Sequence, residues 1–514
     1  MRVDAVTLEV ARHRFAAVAE EMGGVLRRTA HSPNIKERAD CSAAVFVASG
    51  EMLAQAEHIP VHLGSMPASV AAVIDRFGPD AEPGVQFAVN DPFHGGTHLN
   101  DLTLVRPVHA GSRLVGWVAN RAHHADVGGE APGSMPAHAT RLEQEGHVVA
   151  PTVAVVDGRW DRSFLDGFLG ATRTPKEREG DLAAQMGANE TGAVRLLEAF
   201  RSQGRGFEKV TEALLDYGEA RMRSALTSLP DGSFRFEDWM EMGDDDLPVG
   251  VEVTIEGDTL TADFAGSAPQ VAGNLNAVEA VTRSCLYYAV RVVADPSIPA
   301  NGGCYRPLRL VAPAGSIVAA TPPVAVAAGN VETSQRIADV LLGALAAAAP
   351  DRVHAASQGT MNNVLVGAGA TVYYETIAGG EGGGPRRPGQ SGIHTGMTNT
   401  QNTPIESLET HYPFRVSRFG LRRGSGGEGL HPGGEGVVRE IEFLEPATVS
   451  LMGERRRHRP WGLAGGGPGA TGEDWLVRRD GRRERLPGKV TFEAASGERL
   501  LVLTPGGGGW GRRG

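Results

Sequence analysis

The densest run of reactive side chains in this sequence lies between residues 90 and 130. It reads Asn90-Asp91-Pro92-Phe93-His94-Gly95-Gly96-Thr97-His98-Leu99-Asn100-Asp101 and then, past an apolar stretch, Asn120-Arg121-Ala122-His123-His124-Ala125-Asp126-Val127-Gly128-Gly129. Imidazole nitrogens together with carboxylate oxygens suit zinc, manganese or iron(II). A metal that keeps an open coordination position polarises a carbonyl or activates water. The spacing lacks the fixed helical offset of a HExxH motif. Two readings therefore stand at this point: a metal site, or a polar network satisfied within the fold.

The elements around these residues decide whether they can meet. Leu102–Val108, a turn over His109–Arg113, and Leu114–Asn120 read as a β-hairpin. In an antiparallel pair the start of the first strand lies beside the end of the second. His98 and Asp101 are expected just before the first strand, and His123, His124 and Asp126 just after the second, so both sets come to one end of one sheet. A second hairpin, Cys41–Val47 and Met52–Ala56 around the turn Ala48–Glu51, repeats the device with Asp40 in front and His58 behind. If the hairpins share a sheet, Asp40 joins the cluster, while Cys41 faces the other way by strand alternation.

Elsewhere the pattern is mixed. Leu8, Ala11, Phe15, Val18, Met22 and Leu26 form one helical stripe, with Asp4 as N-cap and Gly23-Gly24 weakening the far end. Ser65–Phe77, much of 180–228 and Ile337–Ala349 read as helices, and Pro230-Asp231-Gly232 as a turn. Val251–Ile255 and Leu260–Phe264 alternate like strands, and the remainder is Gly-rich with short strand patterns. The expected class is α+β, multi-domain, with antiparallel-rich sheets. The expected divisions are 1–232 for the metal-site domain, 233–350 for a central mixed region and 351–514 for a Gly-rich, strand-rich region.

Bulk properties narrow the function. The 514 residues carry 61 acidic against 50 basic side chains, a net charge of -11, which disfavours nucleic acid as a partner. Three cysteines without a CxxC pair fit a reducing, cytoplasmic setting and argue against a thiolate zinc site. The most apolar run, Val340–Ala349, falls well short of the ~20 residues that span a bilayer, and the N-terminus has no apolar signal region.

Other motifs are weaker. Gly424–Gly429 matches GxGxxG but leads into more glycine rather than a helix, so a dinucleotide site is not expected. No Walker-type phosphate loop occurs. The run Glu454–Arg459 reads as a solvated basic surface, a contact with a phosphorylated intermediate being the sharper alternative. Cys304 reads as an ordinary thiol, and Pro505–Gly509 as a tight loop or docking tail.

Taken together, these motifs resemble the hydantoinase B family, which includes N-methylhydantoinase B-type subunits and half of 5-oxoprolinase, with the acetone carboxylase alpha subunit as a longer relative. The resemblance runs through Asn34–Asp40, His58–Met66, Asn90–Asp101, Asn120–Gly129, Asp263–Ser267, Gly329–Gln335, Met397–Glu406 and the terminal Pro-Gly-Gly-Gly-Gly-Trp-Gly. It implies an ATP-dependent cyclic-amide hydrolase in which an A-type partner binds ATP and phosphorylates the substrate. This chain would hold a divalent metal and complete ring opening of a hydantoin, 5-oxoproline or related lactam. By the same resemblance Asp40, His98 and His123 are the metal ligands. Asp101, His124 and Asp126 are further ligands, orienters or general bases. Asn100 departs from the expected residue in the His-x-x-Asp motif, but its side chain can support a turn. A carboxylase component and a non-catalytic scaffold for the A-type subunit are the alternatives. A hetero-oligomer follows from either enzyme reading.

Overall fold

The computed structural model describes residues 3–56, 59–78 and 81–513. Helix α1 (Ala5–Thr29) starts where the Asp4 carboxylate accepts the Thr7 amide. It runs through Gly23-Gly24 without ending there, because Met22, Gly23 and Leu26 are buried and Arg27 and Arg28 suit its C-terminal dipole. Tertiary packing outweighs the propensity cost of two glycines. A one-turn helix, α2 (Pro33–Lys36), then leads into the first sheet.

That sheet contains β1 (Cys41–Val47), β2 (Met52–Ala56), β3 (Val85–Val89), β4 (Asp101–Ala110), β5 (Arg113–His123), β6 (Thr152–Val156) and β7 (Arg159–Trp160). Its order is β2-β1-β5-β4-β3-β6-β7, and every pairing is antiparallel. The two expected hairpins therefore do share a sheet, with β1 lying directly against β5. Helix α3 (Ser65–Phe77) packs on one face. Helices α1, α5 (Pro175–Gln203) and α6 (Phe207–Thr227) cover the other, with α4 (Arg162–Ala171) preceding them.

From residue 232 the chain builds a four-stranded sheet of Gly232–Met242, Asp245–Glu256, Thr259–Asp263 and Leu308–Val311, the last joined in parallel. Against it lies Ser334–Ala348, a helix buried along nearly its whole length and entered through a π-helical turn at Gly329–Thr333. Two further antiparallel sheets, of four and five strands, complete the α+β fold between Asn363 and Leu503. One buried hydrophobic cluster extends from Ala44 to Met452. Among the described residues no helix is long and apolar enough to cross a membrane.

In two segments the structure narrows the sequence reading. Only part of the run Glu454–Arg459 is a solvated face: Arg457 and Arg459 are exposed, while Glu454, Arg455 and Arg456 turn inward. Arg455 is fully buried between Asp238 (2.7 Å) and Asp339 (2.6 Å), Arg456 pairs with Asp474 (2.8 Å), and Glu454 meets Arg336 (3.4 Å). Such charges can be buried because each has an opposite partner. The terminal glycines form a docked tail rather than a tight loop. Gly507 donates to the Gly434 carbonyl, Gly508 to Ala356 and Gly509 to Gly467, while Gly427 donates back to Gly507. The GxGxxG-like stretch is part of this bundle of extended, hydrogen-bonded backbones. A side chain at Gly434 would stand 1.8 Å from the Gln390 carbonyl, so close backbone approach, not phosphate binding, explains the glycines.

Candidate metal centre

The β4–β5 hairpin is longer than its sequence pattern indicated, and this brings the key residues inside the ladder. Asp101 and His123 are direct partners across it, as the first residue of β4 and the last of β5. His98 comes from the preceding turn, and its Nδ1 is 3.2 Å from Asp101 Oδ2. His123 Nδ1 is 3.2 Å from Asp101 Oδ1. His98, Asp101 and His123 thus bring one potential ligand atom each within 4.8 Å of one another, all buried. The two imidazole rings sit 5.0 Å apart.

The chemistry of this group fits a divalent ion. Both Nε2 atoms, of His98 and of His123, are shielded from solvent and have no hydrogen-bond partner. Two orphaned imidazole nitrogens in a buried site are costly unless something binds them. Burial alone would push the Asp101 carboxyl up. The electrostatic pull of neighbouring His98 and the hydrogen bonds from His123, His62 and His98 outweigh burial and hold it well below the usual carboxylate range. Burial pushes His123 down to about 4, which keeps its ring neutral and competent as a ligand.

The segment Asn34–Asp40 clasps this centre. The Asn34 amide donates to the His123 carbonyl (2.7 Å), and the Asp40 carbonyl accepts the His123 amide (3.1 Å). Ala39, between Arg38 and Asp40, holds φ at 57°, a strained setting for a residue with a Cβ. The Asp40 side chain is buried beside the three-residue group without belonging to it. Burial pushes its carboxyl up to about 7, with Arg38 opposing and Asp101 adding to the rise. Arg38 lies over the Tyr374 ring at 4.9 Å, and that ring stacks on His123 at 4.6 Å.

Two expected residues turn elsewhere. His124 directs Nε2 to Gln185 Oε1 (2.9 Å) and packs its edge on Phe168, on the opposite side from His123. The Asp126 carboxylate is taken up by the Arg173 guanidinium (2.9 Å) and amide (2.9 Å) and by the Gly128 and Gly133 amides. Both serve the loop that follows β5, so neither reaches the centre as a base or ligand. Asn100 supports that loop as expected, donating to the His124 and Gly133 carbonyls. His58 lies outside the described residues.

Sequence reasoning missed three participants. His62 places Nε2 3.3 Å from Asp101 and Nδ1 2.8 Å from Ser42 Oγ. Tyr374 donates to Asn363 Oδ1 (2.9 Å), and Asn363 donates to Glu332 in the π-helical turn (2.8 Å). Burial pushes Glu332 up to about 8. His62 stood within a recognised motif, and its place just past the first hairpin was the available signal. Glu332 also stood within a recognised motif, Gly329–Gln335, whereas Tyr374 lies hundreds of residues from the histidines in sequence, with no local cue.

The fold and this site define a chain built around a buried His/His/Asp centre at the open end of an antiparallel hairpin. The chain belongs to the hydantoinase B/oxoprolinase family, whose model matches residues 4–513. An uncharacterized protein of Methanocaldococcus jannaschii is 41% identical over 99% of this chain and 91% of its own length. 5-Oxoprolinase 1 of Arabidopsis thaliana is 40% identical over 99% of this chain, which spans only 42% of that longer protein. A putative B-type subunit of a D-/L-hydantoinase, from a Pseudomonas strain, is 30% identical, with 99% and 90% covered. Among solved structures, the ATP-dependent caprolactamase of Pseudomonas jessenii superimposes with a TM-score of 0.91 at 27% identity, covering 99% of this chain and 91% of that one. Acetone carboxylase shares the fold at a TM-score of 0.91, with 18% identity, 99% of this chain covered and 76% of that one.

Proposed function

We propose that this chain is the metal-bearing B-type subunit of an ATP-dependent cyclic-amide hydrolase. The observation that carries the reading is the buried triad His98, Asp101 and His123 with both imidazole Nε2 atoms unpartnered. The names of its relatives, a 5-oxoprolinase and a B-type hydantoinase subunit, and its likeness to a caprolactamase support the substrate class. His98, Asp101 and His123 would hold a divalent zinc, manganese or iron ion, with Asp40 as the adjoining carboxylate. Such an ion, when bound, polarises a carbonyl or lowers the pKa of a water.

The chain's own residues prepare that chemistry. Asp101 meets a ring nitrogen of His98, His123 and His62 at 3.2–3.3 Å, which sets the orientation of all three rings. Tyr374 holds the His123 ring flat against its own face. Asp40 lies buried next to the triad, where its carboxylate would adjoin the bound ion. Phosphorylation of the substrate oxygen is assigned to an A-type, ATP-using partner, which makes the working enzyme a hetero-oligomer.

The test is co-expression with an A-type subunit, followed by a screen of hydantoins, 5-oxoproline and lactams for ring opening. ATP-dependent opening that is lost on chelation and restored by one divalent metal is expected. Full activity in metal-stripped complex, or appreciable ATP hydrolysis by this chain alone, overturns the assignment.

A further inference from the structure

The His123 ring is anchored at one edge by a single polar contact, Nδ1 to Asp101 Oδ1 at 3.2 Å. Such a contact fixes where the ring is held but leaves its tilt loose, because the last torsion of a histidine side chain is broad. The tilt aims the unpartnered Nε2. What restricts it is the face of Tyr374, stacked on the imidazole at 4.6 Å and 19°. Tyr374 must therefore be held in turn, and its two ends are tied to different parts of the chain. At the backbone end Arg38, from the segment that clasps the centre, donates to the Tyr374 carbonyl and lies over the ring at 4.9 Å. At the far end the Tyr374 hydroxyl donates to Asn363 Oδ1 (2.9 Å).

Asn363 and Tyr374 lie on the adjacent antiparallel strands Asn363–Ala368 and Thr371–Thr376. Leu365 stands directly opposite Tyr374, so Asn363 is its diagonal neighbour on the same face. Asn363 directs its two amide protons to the Met452 carbonyl (3.0 Å) and to Glu332 Oε1 (2.8 Å), which leaves its oxygen for the tyrosine. Glu332 Oε1 also accepts the Met361 amide (3.0 Å). A carboxyl is unfavourable in this place. Glu332 is fully buried in the π-helical turn, and the cations in its field, Lys489 and Arg456, pair instead with Glu454 and Asp474. Burial, with Glu454 adding and the Thr360 side chain and Lys489 opposing, pushes its carboxyl up to about 8, so near neutral pH it is mostly uncharged. The turn that carries it is fixed by close contact. A side chain at Gly329 would stand 1.9 Å from the Asn276 carbonyl, and Thr333 donates to the Leu275 carbonyl. Single π-helical turns of this kind recur at functional sites.

We infer that Glu332 is a positioning residue of the metal centre: acting through Asn363 and Tyr374, it sets the tilt of the His123 ring and so the aim of Nε2. The inference rests on the proposed metal centre but not on the substrate. The test uses the full chain and reads zinc affinity by chelator competition, with the visible absorption of bound cobalt(II) as a report on ligand geometry. Glu332→Leu cuts the relay at its base, and Tyr374→Phe removes the hydroxyl while keeping the ring. Each should weaken zinc about tenfold and alter the cobalt spectrum. Glu332→Gln keeps the shape, the acceptor oxygen and the lack of charge, and should stay within about twofold of the native chain. Once Tyr374→Phe has cut the relay, adding Glu332→Leu should cost less than about twofold more. Should Glu332→Leu fail to fold, Glu332→Asp withdraws the carboxyl from Asn363 by one methylene and carries the same expectation. Losses that multiply in the double variant mean that Glu332 does not act through Tyr374 and overturn the inference. So does native zinc affinity with a native cobalt spectrum in both single variants. A native chain that binds neither zinc nor cobalt overturns the metal centre itself, and the relay with it.

Discussion

His123 and His124 are adjacent, both buried, and turned to opposite sides, so a pair of alanine substitutions separates the centre from its scaffold. His123→Ala removes one of three clustered ligand atoms and the ring stacked on Tyr374 at 4.6 Å. A metal-polarised group supplies several kcal/mol of transition-state stabilisation, and about 4 kcal/mol corresponds to roughly a thousandfold in rate. Turnover should fall by at least that factor, with metal content well below one per chain. His124→Ala leaves the triad whole. It deletes the 2.9 Å contact with Gln185 and the edge packing on Phe168, which together are worth about 2–4 kcal/mol of stability. That variant should melt several degrees lower yet keep its metal and most of its turnover per folded chain. The assay is metal analysis, thermal melting and ATP-dependent ring opening on both variants with the partner present. If His123→Ala keeps full metal and activity, the centre is misplaced. If His124→Ala loses the metal while His123→Ala keeps it, the orientation argued from the hairpin is wrong.

Three further outcomes follow from buried groups. Glu145 and Glu332 are both pushed up to about 8, chiefly by burial. A carboxyl raised on folding contributes stability below its unfolded pKa of about 4.3, and that contribution is lost as pH climbs toward 8. Melting temperature should therefore decline from pH 5 to pH 8, and Glu145→Gln or Glu332→Gln should flatten the decline; an unchanged slope in both refutes it. Arg455→Met removes one of the two buried cations, Arg455 and Arg336, that Asp238 and Asp339 share, at a cost of about 1.5–3 kcal/mol in denaturant unfolding, and a loss under ~0.5 kcal/mol would contradict the burial argument. Gly434→Ala should sharply reduce the yield of folded chain, because its methyl would stand 1.8 Å from the Gln390 carbonyl; a normally folded variant would mean the glycine bundle is looser than described.

Much of the centre was legible in the sequence because it is built from one hairpin. Alternation marks strands, a tight turn joins them, and antiparallel geometry then forces their outer ends together. That reasoning brings His98, Asp101, His123, His124 and Asp126 to one end of a sheet from local information, with Asp40 joining them if the hairpins share it, but it does not rank them; the choice of Asp40, His98 and His123 as ligands rests on the family resemblance. The α+β class followed in the same way from the switch between helical and alternating periodicities. What local pattern does not contain is the direction of a side chain just beyond a strand end. There the backbone leaves the ladder, and partners distant in sequence decide. Gln185 and Phe168 draw His124 away, Arg173 claims Asp126, and His62 arrives from the turn beyond the other hairpin to meet Asp101. The same holds for charge and for glycine. Arg455 and Arg456 read as surface until Asp238, Asp339 and Asp474 bury them, and Gly426, Gly427 and Gly429 match a GxGxxG pattern until other backbones close on them. Periodicity is a property of neighbours along the chain, whereas burial of a charge or contact between two backbones depends on segments that only the tertiary fold brings together.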